Sequence, residues 1–303
     1  MQRKAMWTAV ALVLLAMLAV AQAQQQDYLD VYTVQVKPEK RADFDAISKK
    51  MVTANRQNKG DTWLAMETAY GPGDRVTFVS TRHSYGEAEE ASGAFMQALQ
   101  KGLGKAASDK LLADFNQCIA KSHSEFRRRR WDLSSNPPDS PEAMARLVGE
   151  ARWLRTAVVH VKPGQIAGLE ALLKDLKTAR EKASPPQTVL VSQAVAGQEG
   201  TVFYVTMLQP SLGAFDALPT MQQMLGDEGY DRFLKASAET ISDTETVINR
   251  FLPELSNAPE QIASIAPDYW RPKAAVVNAK AGKTKGSVVN AGDTSKMEDN
   301  AKH

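Results

Sequence analysis

The sequence predicts an α+β fold in which two ferredoxin-like β-α-β-β-α-β units follow one another in tandem. Three observations carry this: a motif that recurs, turn clusters at matching places, and one order of strand-type and helix-type apolar spacing met twice. Val34-Gln35-Val36-Lys37-Pro38 returns 125 positions later as Val159-His160-Val161-Lys162-Pro163. The offset becomes 126 at Gly71/Gly197, Phe78-Val79/Tyr204-Val205 and Leu99/Leu225. Four extra residues in the first stretch, around 101–108, then change it to 122. There Asp109-Lys110-Leu111-Leu112 meets Asp231-Arg232-Phe233-Leu234, and Leu133-Ser134 meets Leu255-Ser256. A shared order with two small changes of offset marks an internal repeat.

Each element follows from its own pattern. Val31 to Lys37 alternates and is β-branched, so it reads as a strand stopped by Pro38. Phe44, Ile47, Met51 and Ala54 form one apolar helical face, matched by Leu169, Leu172, Leu173 and Leu176. Thr62–Tyr70 and Arg75–Thr81 flank Gly71-Pro72-Gly73-Asp74 and make a hairpin; Thr188–Ala196 and Thr201–Met207 do the same around Gly197-Gln198-Glu199-Gly200. A second helix is expected over about 86–99 and 212–225. A short third helix carries Leu111, Leu112, Phe115 and Ile119, or Phe233, Leu234 and Ile241. A closing strand is expected from about His123 to Trp131 and from about Glu245 to Leu252. The order is a split βαβ unit with one added helix.

These elements divide the chain into a first repeat over residues 28–136, a linker over 137–153 and a second repeat over 154–258. The linker opens on Pro137-Pro138-Asp139-Ser140-Pro141 and continues as a short helix over Glu142–Ala151. Residues 259–303 form an extension in which Tyr269-Trp270 are candidate anchors. Disorder is expected from about 273, where aromatic residues cease.

Residues 1–23 read as a secretory leader. Arg3 and Lys4 precede an apolar run from Ala9 to Val20, and Ala21-Gln22-Ala23 supplies a small-x-small cleavage site. The run is shorter than the roughly 20 residues a bilayer crossing needs. The expected address is therefore periplasmic or secreted, with no stable membrane anchor after cleavage. With 37 Lys+Arg against 35 Asp+Glu, the balance argues against a nucleic-acid partner. The single cysteine, Cys118, excludes an intramolecular disulfide and a cysteine metal cluster, and is read as buried and inert. The four histidines, His83, His123, His160 and His303, show no metal-binding spacing, and no phosphate or dinucleotide loop occurs. No metal and no cofactor are expected.

The element order, the Val-x-Val-Lys-Pro opening and the Leu-Ser close resemble the antibiotic-biosynthesis-monooxygenase superfamily, over about residues 28–136 and 154–258. That resemblance implies the dimeric α+β barrel fold, here completed within one chain, so a monomer with an intrachain pseudo-dimer is expected. Elementary packing agrees: a four-stranded sheet with helices on one face needs a partner for the other. A covalently linked twin supplies that partner at high effective concentration. The family includes cofactor-free oxygenases and heme-degrading enzymes. The latter carry an Asn on the first strand and a His on the second helix. Here the first-strand positions are Gln35 and His160, and neither expected second helix contains histidine.

If Val34, Val36, Val159 and Val161 pack under helices, then Thr33, Gln35, Val158 and His160 face the barrel interior. His160 has two open roles: a neutral imidazole acting as base or ligand contact, or a polar group satisfied by a neighbouring strand. His83, after the third strand, is a candidate for the cavity mouth or a solvated loop residue. Trp63 stands where Val189 stands in the second repeat, and either stacks on a planar ligand or packs in the core. In Arg127-Arg128-Arg129-Arg130 alternate members face opposite sides, so the four form no single patch. One pair of the run is a candidate for binding a carboxylate or phosphate, with Arg128, matched by Arg250, named for the site, against the plainer reading of a solvated or salt-bridged strand face. The expected function is binding of one small, largely apolar or aromatic molecule in a single cavity. A cofactor-independent monooxygenase or isomerase with His160 as its catalytic group, and a structural or partner-binding protein, are the alternatives.

Overall fold

A computed structural model describes residues 27–185 and 187–272. The expected leader (1–23), the tail from 273 and His303 lie outside the described residues. Eight strands occur in chain order: β1 (Tyr28–Val36), β2 (Leu64–Tyr70), β3 (Arg75–Arg82), β4 (Ile119–Arg129), β5 (Trp153–Val161), β6 (Leu190–Ala196), β7 (Thr201–Gln209) and β8 (Ile241–Phe251). They close into an antiparallel barrel in the order β1-β3-β2-β8-β5-β7-β6-β4. Helices α1 (Arg41–Gln57), α2 (Tyr85–Leu103) and α3 (Lys105–Gln117) belong to the first four strands. Between the two sets of strands lies α4 (Pro141–Glu150), and α5 (Ile166–Lys182) and α6 (Met221–Thr240) belong to the last four.

Two apolar clusters lie between the strands and these helices. Val34, Val36, Phe44, Leu99 and Phe115 anchor one, and Val159, Val161, Leu169, Leu173 and Phe203 the other. Each fully buried side chain of this size contributes roughly 2 kcal/mol of transfer free energy. In the Val-x-Val-Lys-Pro motif the valines face these clusters, and the lysines serve the backbone. Lys37 Nζ donates to Gln117 O at 2.8 Å and Lys162 Nζ to Ala238 O at 2.6 Å, each at a helix C-terminus, where a cation is favourable. Cys118 is buried, with Sγ donating to Asp114 O at 3.3 Å, and burial pushes its thiol pKa up.

The seams between the two sets of strands are β2–β8 and β4–β6. Just beyond them, the Leu-Ser pairs explain themselves. Ser134 Oγ accepts from Val191 N at 2.9 Å and donates to Arg130 O at 2.9 Å; Ser256 Oγ accepts from Ala65 N at 2.8 Å and donates to Leu252 O at 2.8 Å. Arg130 N donates to Val191 O and Leu252 N to Ala65 O, both at 2.8 Å, so each seam carries the same pattern. Both serines are fully buried, so their partners have no water to fall back on.

Three boundaries differ from expectation. The closing strands begin near Ile119 and Ile241 rather than His123 and Glu245. Their first residues, Ala120-Lys121-Ser122 and Ser242-Asp243-Thr244, are exposed, so they pair through the backbone without an apolar face to announce it. In the last third, the expected helix over 212–225 is a 3-10 turn at Leu212–Phe215 followed by α6, which runs through to Thr240. Thr220 starts α6 with a capping box to Gln223, and the helix bends at Gly226, φ 67°. Gly104, φ 81° and 122 residues earlier, separates α2 from α3, another left-handed glycine at a helix break.

Ser134→Ala and Ser256→Ala are each expected to lower unfolding free energy by roughly 1–3 kcal/mol in urea titrations, because each leaves a buried N–H without its acceptor. The double variant is expected to lose close to the sum of the two. A cost within error of zero for both would remove the serines from barrel closure.

Candidate functional site

Alternate residues of every strand face inward, and they do not fill the barrel. A cavity of about 670 Å³ remains. On β1, Leu29, Val31, Thr33 and Gln35 line it; on β5, Leu154, Thr156, Val158 and His160. Leu29 and Gln35 are six residues apart, which is roughly 20 Å of strand. At the Gln35 end the wall residues Gln35, Lys121 and His123 are exposed, which makes this the mouth. The opposite end is covered. Met144 and Val148 of α4 and Ile262 of the C-terminal segment line it, and Trp270 locks that segment down, fully buried, with Nε1 donating to Gly149 O at 2.9 Å. Phe251 packs edge-on to Trp270 behind this end.

The wall changes character along its length. Thr33 and Thr77 share a hydrogen bond at 3.1 Å, Thr156 and Thr206 one at 3.0 Å. These mutual bonds leave the middle of the cavity weakly polar. The strongly polar wall is β4, where Lys121, His123, Glu125, Arg127 and Arg129 all face inward. Glu125 is buried and receives two hydrogen bonds from Arg127, at 3.0 and 3.1 Å, and a short one from the Tyr204 hydroxyl. The Arg127 guanidinium lies 3.4 Å from the centroid of the Tyr204 ring. His123 Nε2 stands 3.5 Å from Glu125 and 3.2 Å from Gln198 Nε2. Burial works to raise the Glu125 pKa, but the charge of Arg127 and the hydrogen bonds from Arg127, Tyr204 and Gln198 outweigh it and hold the carboxyl below its usual range. Burial, reinforced by Glu125, pushes the Tyr204 phenol up, so it stays a donor.

Arg129 is different. No carboxylate lies within ion-pair distance of it among the described residues; Nη2 is 3.4 Å from Thr81 Oγ1, and Nε is buried without a hydrogen bond. Its guanidinium is 5.3 Å from the ring centroid of Trp131, which also lines the cavity. Burial lowers its pKa, partly countered by Asp27.

The residues singled out from sequence fall in several places. Thr33, Gln35 and His160 line the cavity, and the His160 imidazole makes no hydrogen bond to another described residue. Trp63 lines it too while packing as core: Nε1 donates to Leu255 O at 2.8 Å, and the ring sits edge-on to Phe95. His83 does not reach the cavity. It is 54% exposed at the end of β3, with Nδ1 2.9 Å from Asp27. Arg128 does not reach it either, because the register that turns Glu125, Arg127 and Arg129 inward turns Arg128 outward, 3.5 Å from Gln193. Arg130 shares that outer face and is held by Asp132 and Glu170, the salt-bridged state expected for part of the run. Arg127 and Arg129 belong to the run of four arginines, but sequence reasoning points neither to Glu125 and Tyr204 nor to the cluster they form with it. Their signal is a charged residue at every second position from Lys121 to Arg129, the period of one strand face.

No protein-family model matches this chain, and no curated protein matches it. Solved structures do. An anthrone oxidase-like protein matches over 76% of this chain and 92% of its own, at 13% identity and a TM-score of 0.47. A candidate monooxygenase from Lactobacillus acidophilus matches over 75% and 94%, at 9% identity and a TM-score of 0.44. A heme-binding protein from Thermus thermophilus matches over 77% and 93%, at 14% identity and a TM-score of 0.43. The likeness is one of fold. Both helix layers are filled by packed apolar side chains, and among the described residues His123 and His160 face the barrel interior while His83 is on the surface. No cluster of three or more His, Cys, Asp or Glu side chains suited to a metal occurs among the described residues.

Glu125→Gln is expected to destabilise the protein by about 3 kcal/mol at pH 7, since Arg127 then keeps a buried charge without its counterion. A carboxyl held low in the folded state stabilises fully above the ordinary value of 4.5 and loses that contribution as pH falls through the depressed value. The gap between wild type and variant is therefore expected to shrink below pH 4.5. Melting curves between pH 3 and 7 check this, and a gap independent of pH would remove Glu125 from the acid limb.

Proposed function

We propose that this is an exported tandem α+β-barrel protein that binds one small, largely apolar molecule inside its barrel. The observation that carries the reading is the cavity of about 670 Å³, open at the Gln35 end and stoppered at the other. That volume lies in the range of small-molecule sites. A barrel serving only as structure fills with its own side chains, and this one does not.

The tandem reading rests on the repeated motifs and on strand order. The first four strands lie as β4-β1-β3-β2 and the last four as β8-β5-β7-β6. On that reading β4 and β8 are counterparts, and they stand on opposite sides of the barrel. Their inward residues differ at every level: His123 meets Glu245, Glu125 meets Val247, Arg127 meets Asn249 and Arg129 meets Phe251. A fused pair whose walls have diverged in this way offers one binding mode per chain, not two equivalent ones.

Native mass spectrometry of the secreted protein is expected to show a bound small molecule at one per chain. Saturating ligand is expected to raise stability by about 2.7 kcal/mol at a hundredfold excess over Kd. Val158→Phe, which crowds the middle of the cavity, is expected to abolish both effects. An empty native spectrum together with no thermal shift across aromatic and lipid panels would end the binding reading. For export, the secreted chain is expected to begin at Gln24; an intact Met1 would overturn it.

A second reading, cofactor-independent oxygenase or isomerase chemistry, draws on His160. Its imidazole faces the cavity with no hydrogen-bond partner among the described residues, as a general base awaiting substrate requires. For any substrate found, His160→Ala is expected to lower kcat by about 100-fold or more while leaving the fold intact. Unchanged turnover removes His160 from the chemistry.

A further inference from the structure

We propose that the closed end of the barrel is a carboxylate subsite, in which Arg129 takes the acid group of an otherwise apolar, planar ligand. This rests on the binding reading above and names the class of ligand. Arg127 is already ion-paired with Glu125 on one side and stacked on the Tyr204 ring on the other, so its charge has a counterion. Arg129, one step further along the same face, has no ion-pair partner among the described residues and a buried Nε without an acceptor. A guanidinium in that state is a site looking for a planar anion, because its donors match both oxygens of a carboxylate.

The surroundings define the rest of the molecule. Trp131 lies beside the guanidinium, and Leu29, Leu154, Leu208 and Phe251 line the same end of the cavity. One guanidinium amid apolar walls suits a monoanion; a phosphate dianion would need further charge to offset its desolvation. The whole wall is biased the same way. Arg75, Lys121, Arg127 and Arg129 line it against two carboxylates, Glu125 and Glu245. Arg75 and Lys121 flank Gln35 in the register of the mouth, so an anion meets favourable potential before it enters. The ligand therefore enters acid first, with its far end directed back toward the mouth.

The test is calorimetric, with the full-length processed protein and two probes of one shape: naphthalene-2-carboxylate and naphthalene-2-carboxamide. Wild type is expected to bind the carboxylate at least tenfold more tightly. Arg129→Gln is expected to erase that preference while leaving the carboxamide Kd within twofold of wild type, which also shows that the cavity survives. Arg129→Lys is expected to keep the preference, and Arg128→Gln, altering the outer face, to change nothing. Equal binding of both probes to wild type overturns the carboxylate subsite and leaves the cavity reading standing. A preference that survives in Arg129→Gln also overturns it, assigning the effect to Arg75 or Lys121. Binding of neither probe to wild type overturns the subsite and counts against the cavity reading as well.

Discussion

Every sheet that ends must satisfy the hydrogen bonds of its edges, and that demand organises this molecule. A four-stranded sheet has two edges and one face without helices. Laying two such sheets edge to edge disposes of both problems, since the edges pair and the bare faces enclose a common interior. The cost falls on the corners, where a strand leaves one sheet and reaches toward the other. There the backbone would lose partners just where it is most buried. Ser134 and Ser256 stand at those two corners and supply the missing acceptor to one neighbour and a donor to another. Closure, interior and cavity all follow from that pairing.

Much of this is legible in the amino-acid order, and what is not has physical causes. The valine pairs and leucine faces announce their elements because they are buried on one side only. Leu-Ser is visible as a recurring pair, but its role is not, since a hydroxyl that bridges two strands distant in sequence leaves no local trace. The strand starts at Ile119 and Ile241 are hidden because the residues that follow, 120–122 and 242–244, are exposed on both faces. Within the site, Thr33, Gln35 and His160 follow from alternation on β1 and β5 once the helix-facing valines are fixed. The arginine run is less legible. Alternation says that its members divide between two faces, but only the pairing of Glu125 with Tyr204 fixes which two go inside. His83 takes the solvated-loop alternative, and beyond the end of a strand alternation could not choose between the two.

The polar and apolar walls also divide the labour of stability and recognition. Glu125, Arg127 and Tyr204 satisfy one another, so that cluster holds β4 to β7 and leaves little for a guest to bind. Polar groups buried in this way are tolerable only when each has its partner. Among the cavity groups whose capacity is unspent are Arg129 at the stoppered end and His160 near the mouth. A site is read most directly from such remainders.

One consequence of the unlike walls reaches past affinity. A barrel made of two identical sheets has a twofold axis down its middle, and a flat molecule lying on that axis meets the same surroundings above and below. With Glu125 across from Val247 and Arg129 across from Phe251, that symmetry is gone. The two faces of a planar guest then lie against chemically different walls. One polypeptide that supplies all eight strands can thus set unlike chemistry on the two sides of a guest, which an assembly of two equal chains related by that axis cannot do.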